Sequence, residues 1–494
     1  MKKIICLLMA LAMLAMCMVG CKKDKEEDDN TVETIVSDGP PPYDPAIDSL
    51  YYEDKELTLY YAEVGGMPRL EYVAEEYSSD PISNVIFKRN VTVEEKFGVK
   101  LKFQSKGGIE MCDDLKTRYS AQDPTVDIIA PYTYYGVGLT TEGVYADINS
   151  LNYINPESTW WNQSYVDAIT YNGKLYSLIG DLTTSATCST VTTFVNMQMM
   201  REFGLEDTDL FEVVENGDWT LDYMIEMCKD VYSDDDSIDG RSDDDRYGFI
   251  LGQISQPAEA LLVSFGFKWT TYDSEGNMKF CLNDSKNIDI LTALQDKLYK
   301  NDVHTGIYKA AAPTESDFAT KGVAKYIELF TTKKTMMTIS FLNTAEELVK
   351  TDIEYLILPV PKYDTNQTEY RSMTHDSHCN ISISAMSDDK DAAAAIVEYM
   401  GYYSEKELTP QYFEISYQAR YASNSYTMKL FDMVVDSVHF DFARTYAKSL
   451  GEPTHLMRNL VKDSKEISST IATGQKACDR YLKQLTYRLD GMAN

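Results

Sequence analysis

From residue 57 onward short apolar runs alternate with amphipathic stretches, and this alternation constrains the fold of the 494-residue chain more than any other feature. Leu57-Thr-Leu-Tyr-Tyr-Ala reads as a strand, and Asn90–Phe97 as the end of a helix stopped by Gly98. Val99-Lys-Leu-Lys-Phe-Gln alternates as a half-buried strand does. Asp114–Gln122 has helical spacing up to Asp123-Pro124, and Val126–Ala130 is a buried strand ended by Pro131. Strand, helix, strand, helix, strand is the order that builds a parallel sheet covered by helices. In such sheets ligands sit beyond the carboxyl ends of the strands. The segments that follow strands are therefore the candidate site: Glu63-Val-Gly-Gly, Pro131-Tyr-Thr-Tyr-Tyr-Gly and Gly180-Asp181. A second α/β pattern follows, with strands at Val191–Val195, Tyr247–Leu251, Thr335–Ile339, Ile353–Pro359 and Ile381–Ser384. Asp391–Tyr402 is an Ala-rich helix, and the chain from Asn424 to Leu489 is helical almost throughout.

The start of the chain has a different character. Lys2-Lys3, an apolar run Ile4–Val19 and Gly20-Cys21 form a secretory signal layout, short for a membrane span of ~20 residues. Met18-Val19-Gly20-Cys21 resembles the lipobox of bacterial lipoproteins, which implies loss of residues 1–20, lipid on Cys21 and a body tethered to the outer face of the cell membrane. Residues 21–55 are charged or Pro-rich and read as a flexible tether. Of the remaining cysteines none forms a CxxC pair, so buried free thiols are expected. Lys and Arg total 46 against 78 Asp and Glu, a formal charge of −32 that excludes nucleic-acid binding driven by electrostatics. The 36 tyrosines exceed what a core needs, because each hydroxyl prefers a wet or hydrogen-bonded end.

Five stretches, in order, resemble the family 1 extracellular solute-binding proteins of bacterial ABC importers, the group that includes maltodextrin-binding protein. They are VTVEEKFGVKLKF (91–103), VDIIAPYTYYGVGLTTEGVYADINSL (126–151), YNGKLYSLIGDLTTSATCSTVTTFVNM (171–197), Gly217–Lys229 with Asp245-Arg-Tyr-Gly-Phe, and Thr335–Tyr363 with ILPVPKYD. The resemblance implies an α/β, two-lobe periplasmic-binding-protein-like (type II) fold with hinge crossings and a helical C-terminal tail. One lobe would comprise residues 56–182 and 380–424, the other 186–375 and 425–494. It also implies a monomeric, non-catalytic receptor that captures a carbohydrate, an oligosaccharide, between the lobes and hands it to the permease of an importer. No cofactor is required for that task.

A sugar cleft needs flat aromatic platforms beside side chains that hydrogen-bond pairs of hydroxyls. Tyr132, Tyr134 and Tyr135 occupy the post-strand loop where the family places such contacts, and an extended loop would put Tyr132 and Tyr134 on one face. By the same resemblance Glu63 and Asp181 supply carboxylates, and Gln256, before Pro257, faces the ligand from the other lobe. Phe341 stands where maltodextrin-binding proteins stack Trp, Phe440 lies near a further stacking position, and Trp269 lines the cleft. His375 and Asp376 fall at the second crossing and are expected to contact ligand; the same His375–Cys379 segment has zinc-like spacing but no remote fourth ligand. Trp160-Trp161 reads as one core and one rim residue.

Asp235, Ser237, Asp239, Gly240 and Asp243 fill positions 1, 3, 5, 6 and 9 of an EF-hand-like loop, with Arg241 inside the candidate set. Position 12 is Arg246, which rules out a standard EF-hand. Asp244 would supply a carboxylate at position 10, as in some sugar-binding relatives, for a structural Ca²⁺. The alternatives from other classes are a surface glycoside hydrolase, since acid pairs and aromatic platforms also describe glycoside cleavage, and an adhesin-type glycan-binding lipoprotein. No nucleophile elbow or HExxH is present, and the all-β repeats of an adhesin are missing.

Overall fold

A computed structural model describes residues 43–63, 71–75, 78–229, 231–234, 244–252, 255–300, 307–310, 323–417 and 425–493. Among the described residues eleven strands fall into two main sheets and a hairpin. In chain order they are β1 Lys55–Glu63, β2 Val99–Gly107, β3 Ile128–Ala130, β4 Val191–Asn196, β5 Tyr247–Gly252, β6 Thr270–Tyr272, β7 Met278–Phe280, β8 Ile307–Ala310, β9 Thr335–Phe341, β10 Tyr355–Leu358 and β11 Ser382–Ile383. The first sheet has the order β11-β3-β1-β2, the second β10-β4-β9-β5-β8, and β6 pairs with β7 alone.

The first sheet is parallel where the alternation predicts it: β1 runs beside β2 with Leu57 opposite Leu101, and beside β3 with Leu59 opposite Ile128. The helix Pro81–Phe97 joins β1 to β2, capped by Asp80 at its start and by Gly98 in the left-handed region at its end. The helix Gly108–Ser120 joins β2 to β3. Only β11 is antiparallel, pairing Ser382 with Ile129. The reason is topological, since β11 re-enters this sheet from the second one and arrives from the opposite end. The second sheet is mixed in the same way, with β5 parallel to β8 and β9 but β4 antiparallel to β9 and β10. All six residues of β4 are buried, as in a strand covered on both faces.

The tether ends earlier than the composition implies. Tyr43 donates to Glu398 and packs its ring on Trp160 (5.6 Å) and Tyr402 (4.6 Å), and Asp48 pairs with Lys96 at 2.7 Å. Residues 43–54 therefore belong to the packed body, because two polar anchors and one ring outweigh a proline-rich composition. Trp161 is core, 1% exposed, its indole donating to Glu398 at 2.8 Å, while Trp160 is half-buried. The helix after them starts at Gln163, behind the Asn162 cap. Cys112, Cys188, Cys228, Cys281, Cys379 and Cys478 are buried free thiols. The final helix, Ile467–Ala493, touches both the β7 hairpin and the Val137–Glu142 turn of the first lobe. Among the described residues no helix is long and apolar enough to cross a membrane.

Candidate functional site

The chain leaves the first sheet after Leu178, which pairs with Ile381, and enters the second at Val191. It returns through Thr374–Asn380, antiparallel to the outward segment. Thr190 pairs with Thr374, the His375 amide donates to Ser189 O at 2.9 Å, and the Cys379 amide donates to Ser185 Oγ at 3.0 Å. The buried Glu71 fastens the outward segment by accepting from the amide and hydroxyl of Ser185, each at 2.9 Å. A further return into the C-terminal helices, expected from the resemblance near residues 420–428, falls partly outside the described residues, which resume at Ser425.

The tyrosine loop is seated on this joint. Tyr132 pairs with Cys379, and the Thr133 amide donates to His378 O at 2.9 Å. The loop is a helical turn, Thr133–Gly136, and not extended, because the Gly136 amide closes back on Tyr132 O at 2.7 Å. Tyr132, Tyr134 and Tyr135 therefore form a cluster, with ring centroids 5.4 Å apart for Tyr132 and Tyr135 and 4.9 Å for Tyr134 and Tyr135. The Tyr134 hydroxyl donates to the Glu452 carboxylate, and the Lys448 ammonium sits 4.6 Å from the Tyr135 ring centre. The loop of one lobe thus grips the C-terminal helices. From the second sheet Phe341, the last residue of β9, lays its ring edge-to-face on His375 at 5.0 Å.

Charges behind this surface are paired. Arg444 donates through Nε to Glu259 at 2.7 Å and through Nη2 to Thr374 O at 2.6 Å and Asp376 at 3.2 Å. Arg458 takes the other Glu259 oxygen at 2.9 Å. Burial disfavours the Asp376 carboxylate, but Arg444 holds its pKa below the ordinary range. Burial depresses His375 and pushes His378 down to about 4. His378 is therefore neutral near pH 7. Its Nδ1 lies 2.6 Å from His375 O, a carbonyl that can only accept, so Nδ1 carries the proton and Nε2 is an acceptor.

That acceptor has no partner among the described residues, and neither do the hydroxyls of Thr133 and Thr445. All three side chains are buried, at 3%, 3% and 8% exposure, and all three line one cavity of about 10 Å³ together with Tyr134, Asp376, Phe440 and Arg444. Buried polar atoms seldom stay unpaired, since each costs about 1–3 kcal/mol. A space of that size admits one water-sized group, and two hydroxyls and one acceptor nitrogen suit one that both gives and takes hydrogen bonds, as a water or a single hydroxyl does.

The other expected residues divide. Phe440 joins the cavity and packs on Tyr165 at 5.0 Å. Glu63, exposed at the end of β1, turns to Ser105 Oγ at 2.6 Å. Asp181 accepts from Thr409 and lines a larger cavity of about 580 Å³ with Trp160, Asp432 and Asp436, which shares Phe440 with the small one; burial raises Asp181 to about 7. Trp269 is core, 1% exposed and edge-on to Phe267 at 4.9 Å. Gln256 is in the first turn of the helix Ser255–Ser264, its side chain outside the described residues. Asp235, Ser237, Asp239, Arg241 and Asp243 also lie outside them; Asp244 is described, and its carbonyl accepts from Lys334. Among the described residues no group of three or more His, Cys, Asp or Glu could hold a metal ion. Thr133, His378, Arg444, Thr445 and Glu259 escaped sequence reasoning, because no local spacing links residues so far apart in the chain.

Two α/β lobes joined by paired crossings, with aromatic and polar side chains at the joint, define a two-lobe solute-binding fold of the type II periplasmic class. The chain belongs to the bacterial extracellular solute-binding proteins, whose family profile matches residues 91–417. Solved structures share the fold at low identity. A cyclo/maltodextrin-binding protein complexed with maltotetraose superposes with a TM-score of 0.56 at 14% identity, covering 88% of this chain and 97% of its own. The Staphylococcus aureus extracellular solute-binding protein in complex with maltose gives 0.56 at 15% identity, covering 88% and 99%. UspC of M. tuberculosis gives 0.54 at 14% identity, covering 86% and 100%. Among curated proteins none matches this sequence.

Proposed function

We propose that this solute-binding protein is a non-catalytic, lipid-anchored receptor that captures a carbohydrate at the joint between its lobes and delivers it to an ABC importer. The observation that carries the carbohydrate reading is the set of three buried, unpartnered polar atoms on Thr133, His378 and Thr445 beside the Tyr132–Tyr135 cluster. Hydroxyls satisfy such atoms, and aromatic faces pack the C–H surfaces between them. Several solved structures of the same fold hold maltose, maltotetraose or mannotriose, which supports the reading. The ligand contacts are Tyr132, Tyr134, Phe341, His375, Asp376 and Phe440. Membrane attachment rests on Gly20-Cys21 and the apolar run before it. Thermal-shift screening of the mature chain against a panel of neutral mono- and oligosaccharides tests the proposal, because a ligand that binds only the folded state raises Tm by mass action. A stabilising sugar whose effect is lost in Thr445→Val supports it. No shift with any sugar, or release of hydrolysis products, refutes it.

A further inference from the structure

A third cavity, of about 200 Å³, shares Phe440 and Arg444 with the joint but has a different chemical lining. Its polar walls are Lys268, Trp269, Arg371, His439, Asp441 and Arg444. Trp269 is 1% exposed, and its indole N–H, which can only donate, has no partner among the described residues. The Lys268 ammonium makes no ion pair among them. Glu369 engages Arg371 through Nε and Nη2, which leaves Nη1, and Glu259, Asp376 and Thr374 engage Arg444 through Nε and Nη2, which again leaves Nη1. His439 donates from Nδ1 to Ser437 O at 2.9 Å and turns Nε2 to the Glu369 carboxylate at 3.5 Å, so it is not among the free donors.

The one carboxylate in the lining does not answer these donors. Asp441 caps the turn Phe442–Thr445, accepting from the Ala443 and Arg444 amides at 2.8 and 3.2 Å, and it also takes the backbone N–H groups of Trp269 and Thr270. Its oxygens are filled by the backbone amides of those four residues. What remains is a small cavity walled by three cationic side chains, Lys268, Arg371 and Arg444, in a chain whose formal charge is −32. The cavity is below the ~300 Å³ at which pockets begin to enclose larger ligands.

We propose that this cavity binds a small oxyanion, a carboxylate, sulfate or phosphate, either free or as the charged substituent of a sugar. An oxyanion offers only acceptors and matches the planar guanidinium groups of Arg371 and Arg444. This inference stands independently of neutral-sugar binding at the joint.

Calorimetric titration of the mature chain tests it, using sodium sulfate, sodium phosphate, sodium glucuronate and glucose at constant ionic strength held with NaCl. Saturable heat at millimolar sulfate or phosphate marks a site for free anions. Heat with glucuronate alone marks a site for a sugar-borne charge, and both outcomes support the proposal. Arg371→Gln removes the guanidinium and keeps a polar side chain, so oxyanion affinity is expected to fall about tenfold or more. Lys268→Gln, on an exposed side chain, serves as the second variant and weakens binding several-fold. No saturable heat with any anion overturns the proposal, as does heat that both variants leave unchanged. Titrating the same variants with the neutral sugar found by thermal shift separates the two readings: loss of anion binding with retained sugar affinity places the anion in its own cavity.

Discussion

Glu259 is the residue whose replacement tests the joint most sharply. It is fully buried in the helix Ser255–Ser264 and divides its two oxygens between Arg444 and Arg458, each 5% exposed. Arg444 then reaches Thr374 O and Asp376 on the return crossing, so one carboxylate couples a helix of the second lobe to the joint. Glu259→Gln keeps the shape but replaces one acceptor oxygen with an NH₂ group, which must face a guanidinium donor. It also leaves two buried cations with one fewer countercharge. Removing one partner of a buried ion pair costs about 3–5 kcal/mol. At an unfolding entropy of about 2.1 cal/mol/K per residue over a body of roughly 450 residues, that is a fall in Tm of roughly 3–5 °C. Scanning calorimetry of parent and variant at neutral pH reads this directly. Replacing the network by Glu259→Leu, Arg444→Met and Arg458→Met together should recover part of the stability, since apolar substitutes for buried ion pairs are often neutral. It should not recover ligand affinity, because Asp376 and Thr374 lose their partner. A Glu259→Gln protein that melts within about 1 °C of the parent would show that the pairing does not hold the joint together.

The protonation pattern predicts greater stability in mild acid. Burial raises Glu71 and Asp181 to about 7 and Asp441 to about 6, so the folded state holds protons that the unfolded chain has released, and stability falls as pH rises toward 7. His378, lowered to about 4, and His375, also lowered by burial, act in the opposite sense below their unfolded value of 6.5, but two groups oppose three. Tm should be higher near pH 6 than near pH 8 and the difference smaller in Asp181→Asn; a higher Tm at pH 8 contradicts the assignment. Trp161→Phe removes the indole donor from the buried Glu398, leaving Ser158 and Tyr43, and should cost about 1–3 kcal/mol in urea unfolding. Phe341→Ala and Tyr132→Ala should weaken sugar binding with little change in Tm, and a variant that binds as tightly as the parent excludes its ring as a platform.

How much of this was legible depends on the range over which each feature is determined. The helix stop at Gly98 and the β1–β2–β3 order follow from neighbouring residues and could be read off the chain. The tyrosine loop lay one step beyond, since its position after β3 was legible but a single Gly136 amide turned it from extended to helical. The buried polar set was not legible at all. Thr133 belongs to a loop after the first sheet, His378 to the return crossing and Thr445 to a C-terminal turn, and each looks ordinary in its own sequence window. They become a site only because β11 must re-enter the first sheet antiparallel, which carries the segment before it past the β3 loop. The fold class therefore rests on local periodicity, whereas the ligand chemistry rests on how the crossings return. A homologue that kept the strand pattern but filled the Thr133, His378 and Thr445 positions with apolar residues would keep the two lobes and lose this hydroxyl-sized polar socket.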